Sequence, residues 1–157
     1  FLSMHQLKLP SYQCKIKEMD GKTYIFDAIR KKYLVLTPEE WVRQHVIHFL
    51  IEQKQVPASM ISVEKQLTLN HTKRRTDLVV FNNSLKPLMI IECKAPEVEI
   101  NQLTINQALR YNLQLNVPAI FLSNGFQHIC IQLEQTGPKI LKDVPDYNAL
   151  LKFLGDS

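Results

Sequence analysis

The sequence contains little glycine, few cysteines and no long apolar segment. Its four glycines stand singly, and we find no repeat or low-complexity stretch, which argues against solenoids and linkers. No apolar run approaches the roughly 20 residues that cross a membrane, and residues 1–10 lack the layout of a signal peptide. The three cysteines have no C-x-x-C spacing, so neither a disulfide framework nor a zinc site is predicted. We therefore expect a cytoplasmic protein without membrane contact.

The composition that remains is typical of one globular domain. Of the 157 residues, 45% are hydrophobic and 22% are charged, a balance that allows a dry core without cross-links. The formal net charge of +4 favours polyanionic partners without requiring them. We predict a single domain over residues 1–157.

The N-terminal part has the pattern of a small β-hairpin. Residues 12–18 and 23–28 have strand character and flank Asp20 and Gly21, a pair favoured in two-residue turns. Residues 61–69 alternate apolar and polar side chains, which predicts one half-buried strand.

A helix is predicted to begin after Thr37. Thr37 is a suitable N-cap, Pro38 fits the first helical position, and Glu40 would complete a capping box. Apolar residues at helical spacing predict its buried side: Val42, Val46, Phe49 and Leu50.

The centre of the chain predicts a sheet. Residues 76–81 and 88–94 are apolar almost throughout, as in strands covered on both faces. The following segments predict a helix (101–115), a strand (118–123), a turn at Asn124-Gly125, a strand (127–133) and a terminal helix (146–154). This order predicts a mixed α+β fold with a central mixed sheet flanked by helices, in which the 101–115 helix crosses over into a parallel strand.

Three charged residues are predicted to meet on the central hairpin. If the midpoint of loop 82–87 is the symmetry point, Asp77 lies opposite Glu92, and Lys94 points the same way as Glu92. The rest of that face should be apolar: Val79, Phe81, Leu88 and Ile90.

Two interpretations account for this trio. Charges on an apolar face cost several kcal/mol unless they are paired or bind a metal. Two carboxylates suit magnesium or manganese, and Lys94 could then orient a water or stabilise charge on a phosphate. Alternatively, Glu92 and Lys94 form an ion pair where a strand reaches solvent, and Asp77 merely begins another strand.

The same residues resemble a known signature. Asp77 followed by Glu92-Cys93-Lys94 is similar to the D…E-x-K pattern of the PD-(D/E)xK nuclease superfamily, although Thr76 stands where a proline often precedes the aspartate. Five stretches, in order, also resemble the N-terminal nuclease domain of type I restriction enzyme R subunits and their stand-alone relatives: 39–44, 76–80, 87–96, 107–111 and 123–125. The likeness covers a core of about residues 37–133.

The resemblance implies a restriction-endonuclease-like fold that cleaves DNA phosphodiesters with Mg²⁺ or Mn²⁺. Asp77, Glu92 and the Cys93 carbonyl would bind the metal, and Lys94 would be the catalytic lysine. The sequence contains no motor motif, so the chain would act alone or with restriction-modification subunits or a separate motor. A homodimer would supply the second site that two-strand cutting requires. The alternative is a non-catalytic nucleic-acid-binding or partner-dependent module of the same fold.

Further residues have two interpretations each. Gln107 and Tyr111 match a Q-x-x-x-Y element of this branch and share one helical face, where they would brace Lys94 or touch DNA; otherwise they are a solvated Gln and a packing Tyr. Glu40 would supply an extra acidic metal ligand or only cap its helix.

A basic cluster precedes Asp77. Lys73, Arg74 and Arg75 are predicted to lie in a turn near the metal, where they could bind phosphates. The alternative is a solvated turn, which is the usual role of a charge run. His45 and His48 are predicted to be packing or surface residues, since further zinc ligands at suitable spacing are lacking.

Overall fold

The computed structural model describes residue 4, residues 6–69 and residues 72–154, without the side chains of Leu69, Thr72 and Arg74. The strands of this part of the chain are β1 (Ile16–Met19), β2 (Lys22–Asp27), β3 (Lys32–Val35), β4 (Ile61–Val63), β5 (Gln66–Leu69), β6 (Thr72–Arg75), β7 (Leu78–Phe81), β8 (Pro87–Cys93), β9 (Ala119–Ser123), β10 (His128–Glu134) and β11 (Gly137–Leu141). The helices are α1 (Pro38–Glu52), α2 (Gln102–Leu115) and α3 (Tyr147–Lys152), with a 3-10 turn at Ala58–Met60. None of these helices is long and apolar enough to cross a membrane.

The core of the fold is a six-stranded mixed sheet in the order β11-β10-β9-β8-β7-β4. β8 and β9 are parallel and the other neighbours are antiparallel. This confirms the predicted mixed sheet, in which the α2 connection joins two parallel strands.

Helices cover both faces of this sheet. The larger apolar cluster joins α1 and α3 to the sheet and includes Leu50, Met89, Ile91, Phe121 and Leu150. Two smaller clusters lie under α2, with Ala108 and Leu115 contributing from the helix. The strand residues between the helices are almost inaccessible to solvent, because each strand is apolar on both faces.

The register of the central hairpin is as predicted. Leu78 lies opposite Ile91, and Val79 lies opposite Ile90. The same register, extended by one residue beyond Leu78, places Asp77 opposite Glu92. A register shift between Val80 and Phe81 was not predicted. Leu88 packs in the α1-side core, so its assignment to the Glu92 face was wrong.

The predicted strand 61–69 is divided into two. β4 belongs to the main sheet, whereas β5 pairs with β6 in a separate two-stranded ribbon. The chain changes direction at Glu64, which has a positive φ of 52°. The alternating pattern continues across this point, so the sequence alone does not reveal the break. The basic residues Lys73 and Arg75 consequently lie in strand β6 and not in a turn.

The N-terminal hairpin forms around Asp20-Gly21 as predicted, but β3 adds a third strand. β11 was also not predicted. The strand at 12–18 begins only at Ile16. The terminal helix is shorter than predicted, beginning after the N-cap Asp146 and ending at Lys152.

Helix α1 begins where the sequence predicts. Thr37 accepts a hydrogen bond from the Glu40 N–H at 3.0 Å, and Pro38 is in the first turn. The second half of the predicted capping box was wrong, because the Glu40 carboxylate accepts a hydrogen bond from Gln44 at 2.9 Å.

Candidate active site

Asp77 lies immediately before the first residue of β7, and its carboxylate is held by the neighbouring strand. Asp77 Oδ2 accepts a hydrogen bond of 2.8 Å from the Cys93 N–H. The Asp77 carbonyl accepts another of 2.8 Å from the Glu64 N–H. These bonds fix the aspartate beside the end of β8, one residue from Glu92.

Glu92 and Lys94 flank the residue that bonds Asp77. Lys94 Nζ lies 3.9 Å from Glu92 Oε2, and the Glu92 side chain is 14% exposed. The Lys94 N–H donates to the Ser123 carbonyl at 2.8 Å, which continues the pairing of β8 with β9 beyond the end of the strand. The ion pair is thus held on a backbone with bonds on both sides.

The Cys93 side chain is an unsuitable ligand, unlike its backbone. Burial, followed by the neighbouring Asp77 carboxylate, raises the pKa of the Cys93 thiol well above its usual value. A neutral, buried thiol is a poor metal ligand, because metals bind the thiolate. Only the backbone carbonyl of Cys93 therefore suits the predicted role.

Two acidic residues at the start of α1 differ in their surroundings. Glu40 is buried and contacts Gln44 and Arg43. The pKa of Glu39 is raised by burial and by the Asp77 carboxylate, while Arg43 and Lys94 oppose this shift. Glu39 therefore interacts electrostatically with Asp77 and Lys94. The sequence had instead singled out the next residue, Glu40.

Arg43 connects α1 to this end of the sheet, and the sequence interpretation gave it no role. Its guanidinium lies 3.3 Å from Glu40 and 3.1 Å from Glu64. Burial opposes its charge, but Glu40 and the hydrogen bond to Glu64 raise the pKa of Arg43 overall. The i, i+3 and i, i+4 spacing to the two helix glutamates was the available signal.

Gln107 and Tyr111 lie on α2, one turn apart, and both are exposed. Tyr111 lines a narrow cavity together with Glu92 and Asn112. This brings Tyr111 to the glutamate of the trio, whereas Gln107 is not among the residues that line this cavity.

The basic strand β6 is partly neutralised. Lys73 and Arg75 are exposed, and Arg75 forms an ion pair with Glu64. The hydrogen bond from Arg75 is the main reason why the pKa of Glu64 is lowered. The Arg74 side chain lies outside the described residues.

The donor chemistry at this end of the sheet fits a hard divalent cation. Asp77 and Glu92 offer carboxylate oxygens, and Cys93 offers a carbonyl, which are ligand types that Mg²⁺ and Mn²⁺ prefer. Among the described residues, no three His, Cys, Asp or Glu side chains are grouped so as to hold a metal ion. A site here would therefore depend on the backbone carbonyl and on water for its remaining ligands.

Several solved structures are similar to this chain. One is a fragment of a protein assigned as an HsdR subunit of a type I restriction enzyme from Vibrio vulnificus YJ016, with 20% identity, a TM-score of 0.52, and coverage of 76% of this chain and 25% of that one. This chain thus spans about a quarter of that fragment's length. A protein assigned as a nuclease of the DUF820 group from Anabaena variabilis ATCC 29413 has 13% identity, a TM-score of 0.49, and coverage of 90% of this chain and 86% of that one. The DrdV–DNA complex has 14% identity, a TM-score of 0.45, and coverage of 77% and 12%.

No curated protein matches the chain. The sequence family described as type I restriction enzyme R protein N terminus (HSDR_N) matches residues 38–145. This match extends from the first turn of α1 to beyond β11 and includes the Asp77, Glu92 and Lys94 positions. Because it covers more than half of the sequence, the chain belongs to the family of type I restriction enzyme R protein N termini.

Proposed function

We propose that the chain is a metal-dependent nuclease that hydrolyses DNA phosphodiester bonds. The observation that supports this most directly is the hydrogen bond from the Cys93 N–H to the Asp77 carboxylate, since it holds one acidic group beside the backbone that carries Glu92 and Lys94. The N–H and C=O groups of a residue in an antiparallel pair point towards the same neighbouring strand, so the Cys93 carbonyl is directed to the Asp77 side as well.

Asp77, Glu92 and the Cys93 carbonyl would hold Mg²⁺ or Mn²⁺. When bound, the cation supplies Lewis acidity and lowers the pKa of a bound water. The Lys94 ammonium, 3.9 Å from Glu92, is placed to stabilise negative charge on a phosphate or to orient a water. Glu39 would add a further carboxylate near Asp77, and Tyr111 would position Glu92 from the α2 side.

The family supports DNA as the substrate, and a magnesium-dependent reaction of the PD-(D/E)xK type is the corresponding chemistry. Cleavage by the chain alone is part of this proposal. The alternative is a non-catalytic nucleic-acid-binding or partner-dependent module, which is favoured by one observation: the described side chains include no group of three metal ligands.

The test is cleavage of supercoiled plasmid with Mg²⁺ or Mn²⁺ by the unmodified chain and by Asp77→Asn and Lys94→Ala. Lys86→Ala, at an exposed lysine in the β7–β8 loop, is the matched control. We expect each site variant to lose about 100-fold or more in rate, because Asp77→Asn weakens the metal site and Lys94→Ala removes the positive charge beside the phosphate, while the control cleaves normally.

Metal binding is measured separately by thermal unfolding with added Mn²⁺. The unmodified chain should gain stability and Asp77→Asn should not. Cleavage that persists unchanged in both site variants would contradict the proposed centre. Salt-dependent DNA binding without cleavage under any divalent cation would instead support the non-catalytic alternative.

A further inference from the structure

The outer face of the N-terminal sheet combines lysines with aromatic rings. Strand register places Lys17 beside Tyr24 and Phe26 beside Tyr33, and Ile25, between the two aromatic positions of β2, is fully buried on the opposite side. We call the outward set Lys15, Lys17, Tyr24, Phe26 and Tyr33 the lysine–aromatic face.

The side chains of this face make lysine–ring contacts and one contact between two rings. Lys17 Nζ lies 4.1 Å from the centre of the Tyr33 ring, and Lys15 Nζ lies 5.1 Å from that of Phe26. The Phe26 and Tyr33 rings meet edge to face, 5.2 Å apart. The Tyr33 side is open to solvent, since this residue is 36% exposed.

Within strands β1, β2 and β3, this face carries lysines and no acidic side chain. The acidic residues within these three strands, Glu18 and Asp27, alternate to the opposite side. Asp27 is buried and bonds the backbone and side chain of Arg30. The charge of the lysine–aromatic face is therefore complementary to a polyanion.

We propose that the lysine–aromatic face binds single-stranded nucleic acid. Lysines neutralise phosphates, and exposed aromatic rings stack on bases of any identity. Bases in a duplex are already stacked on each other, so an aromatic sheet surface selects unpaired strands. A phosphate would draw Lys17 away from Tyr33 and leave the ring free for a base.

The position of the face relates it to the candidate active site. The turn after β2 carries Arg30, whose guanidinium lies 3.5 Å from Glu64, and Glu64 contacts Arg43. The N-terminal sheet therefore contacts the charged cluster that borders Asp77 through the Asp27 side of β2, opposite to the lysine–aromatic face. Binding at this face does not depend on catalysis, so the failure of the nuclease proposal would leave it standing.

The test uses the full chain in EDTA and follows the fluorescence anisotropy of a labelled oligothymidylate about 20 nucleotides long. Lys15→Gln/Lys17→Gln is compared with Lys86→Gln/Lys139→Gln, a pair of exposed lysines on other elements with the same change in charge. We expect the first pair to weaken binding about tenfold with a shallower salt dependence, and the control pair to weaken it less than about twofold.

Tyr33→Leu removes the ring and leaves the charge. We expect binding to weaken about fivefold with an unchanged salt dependence. Because this variant could lose stability, ultraviolet cross-linking of a bromodeoxyuridine oligonucleotide to the unmodified chain provides a second measurement, with cross-links expected in β2 or β3. Equal affinity of both lysine pairs, cross-links only outside the face, or stronger competition by duplex than by single-stranded DNA would each overturn the proposal.

Discussion

Helices α1 and α2 lie on opposite faces of the same sheet but are held there in different ways. α1 buries eight side chains, four of them apolar, whereas α2 buries only Ala108, Asn112 and Leu115. α2 leaves Leu103 and Leu113 exposed, at 65% and 80%. Burial of apolar area is the main source of stability, so α1 contributes more to the core than α2 does.

The difference also concerns polar groups. α1 carries Glu40, Arg43 and Gln44 into the interior, next to Asp77, and these groups are linked to one another and to Glu64. α2 has one buried amide, Asn112, at its C-terminal end. The charged end of the candidate site is thus fixed by the helix with the larger core, which gives rigid support to groups that must be positioned.

The largest effect is expected from Arg43→Met. Removing the guanidinium leaves the buried Glu40 carboxylate without its cationic partner, at a cost of about 3–5 kcal/mol in the free energy of unfolding. Adding Glu40→Gln to this variant should recover part of the loss, because the unpaired charge is then removed as well. Urea unfolding of the four proteins of this cycle measures both effects. A loss below about 1 kcal/mol in Arg43→Met would mean that α1 does not depend on its buried charges.

A smaller effect is expected on α2 from Asn112→Ala. Its Nδ2–H donates to the Val117 carbonyl at 2.7 Å, tying the end of the helix to the segment before β9. Loss of this buried bond should cost about 1–3 kcal/mol, because the carbonyl is left without its donor. Asn106→Ala is the control, because Asn106 lies on the exposed side of α2 and accepts an exposed hydrogen bond from Gln102; it should change stability by less than about 0.5 kcal/mol. Equal losses in the two variants would contradict the assigned role of Asn112.

The parts of this structure that local patterns specify could be predicted from the sequence. The pairing of Asp77 with Glu92 follows from the loop midpoint because side chains alternate regularly along apolar strands. The start of α1 follows from the capping chemistry of Thr37 and Pro38. Both features depend on residues that are close in sequence or joined by one short loop.

The parts that depend on tertiary contacts could not be predicted. Glu64 adopts a positive φ, and nothing in the alternating pattern marks that position. Its partners Arg30, Arg43 and Arg75 come from three separate elements, so their convergence requires the assembled fold. The same reason explains why the sequence singled out Glu40 and missed Glu39 near Asp77: the direction in which each side chain points depends on where α1 packs.

The smallest effect is expected from pH and should again depend on α1. His45 is buried beside Tyr12 and Trp41, and its Nδ1–H donates to the Trp41 carbonyl at 2.8 Å. Burial, together with the charge of His48, lowers the pKa of His45, although the Trp41 carbonyl opposes this shift. The unfolded chain therefore takes up a proton more readily than the folded one. Stability should be complete above the unfolded value of about 6.5 and fall as the pH decreases through it.

His45→Gln should reduce this loss of stability between about pH 7 and pH 5.5, because the amide does not titrate in this range. His48→Gln should reduce it less, since His48 is more exposed and lies 3.8 Å from Glu52, whose charge favours the protonated ring. Urea unfolding at the two pH values measures the difference for each protein. If the pH dependence of unfolding were unchanged in His45→Gln, the acid sensitivity would arise outside the buried side of α1. The difference between α1 and α2 would then be limited to packing and ion pairs.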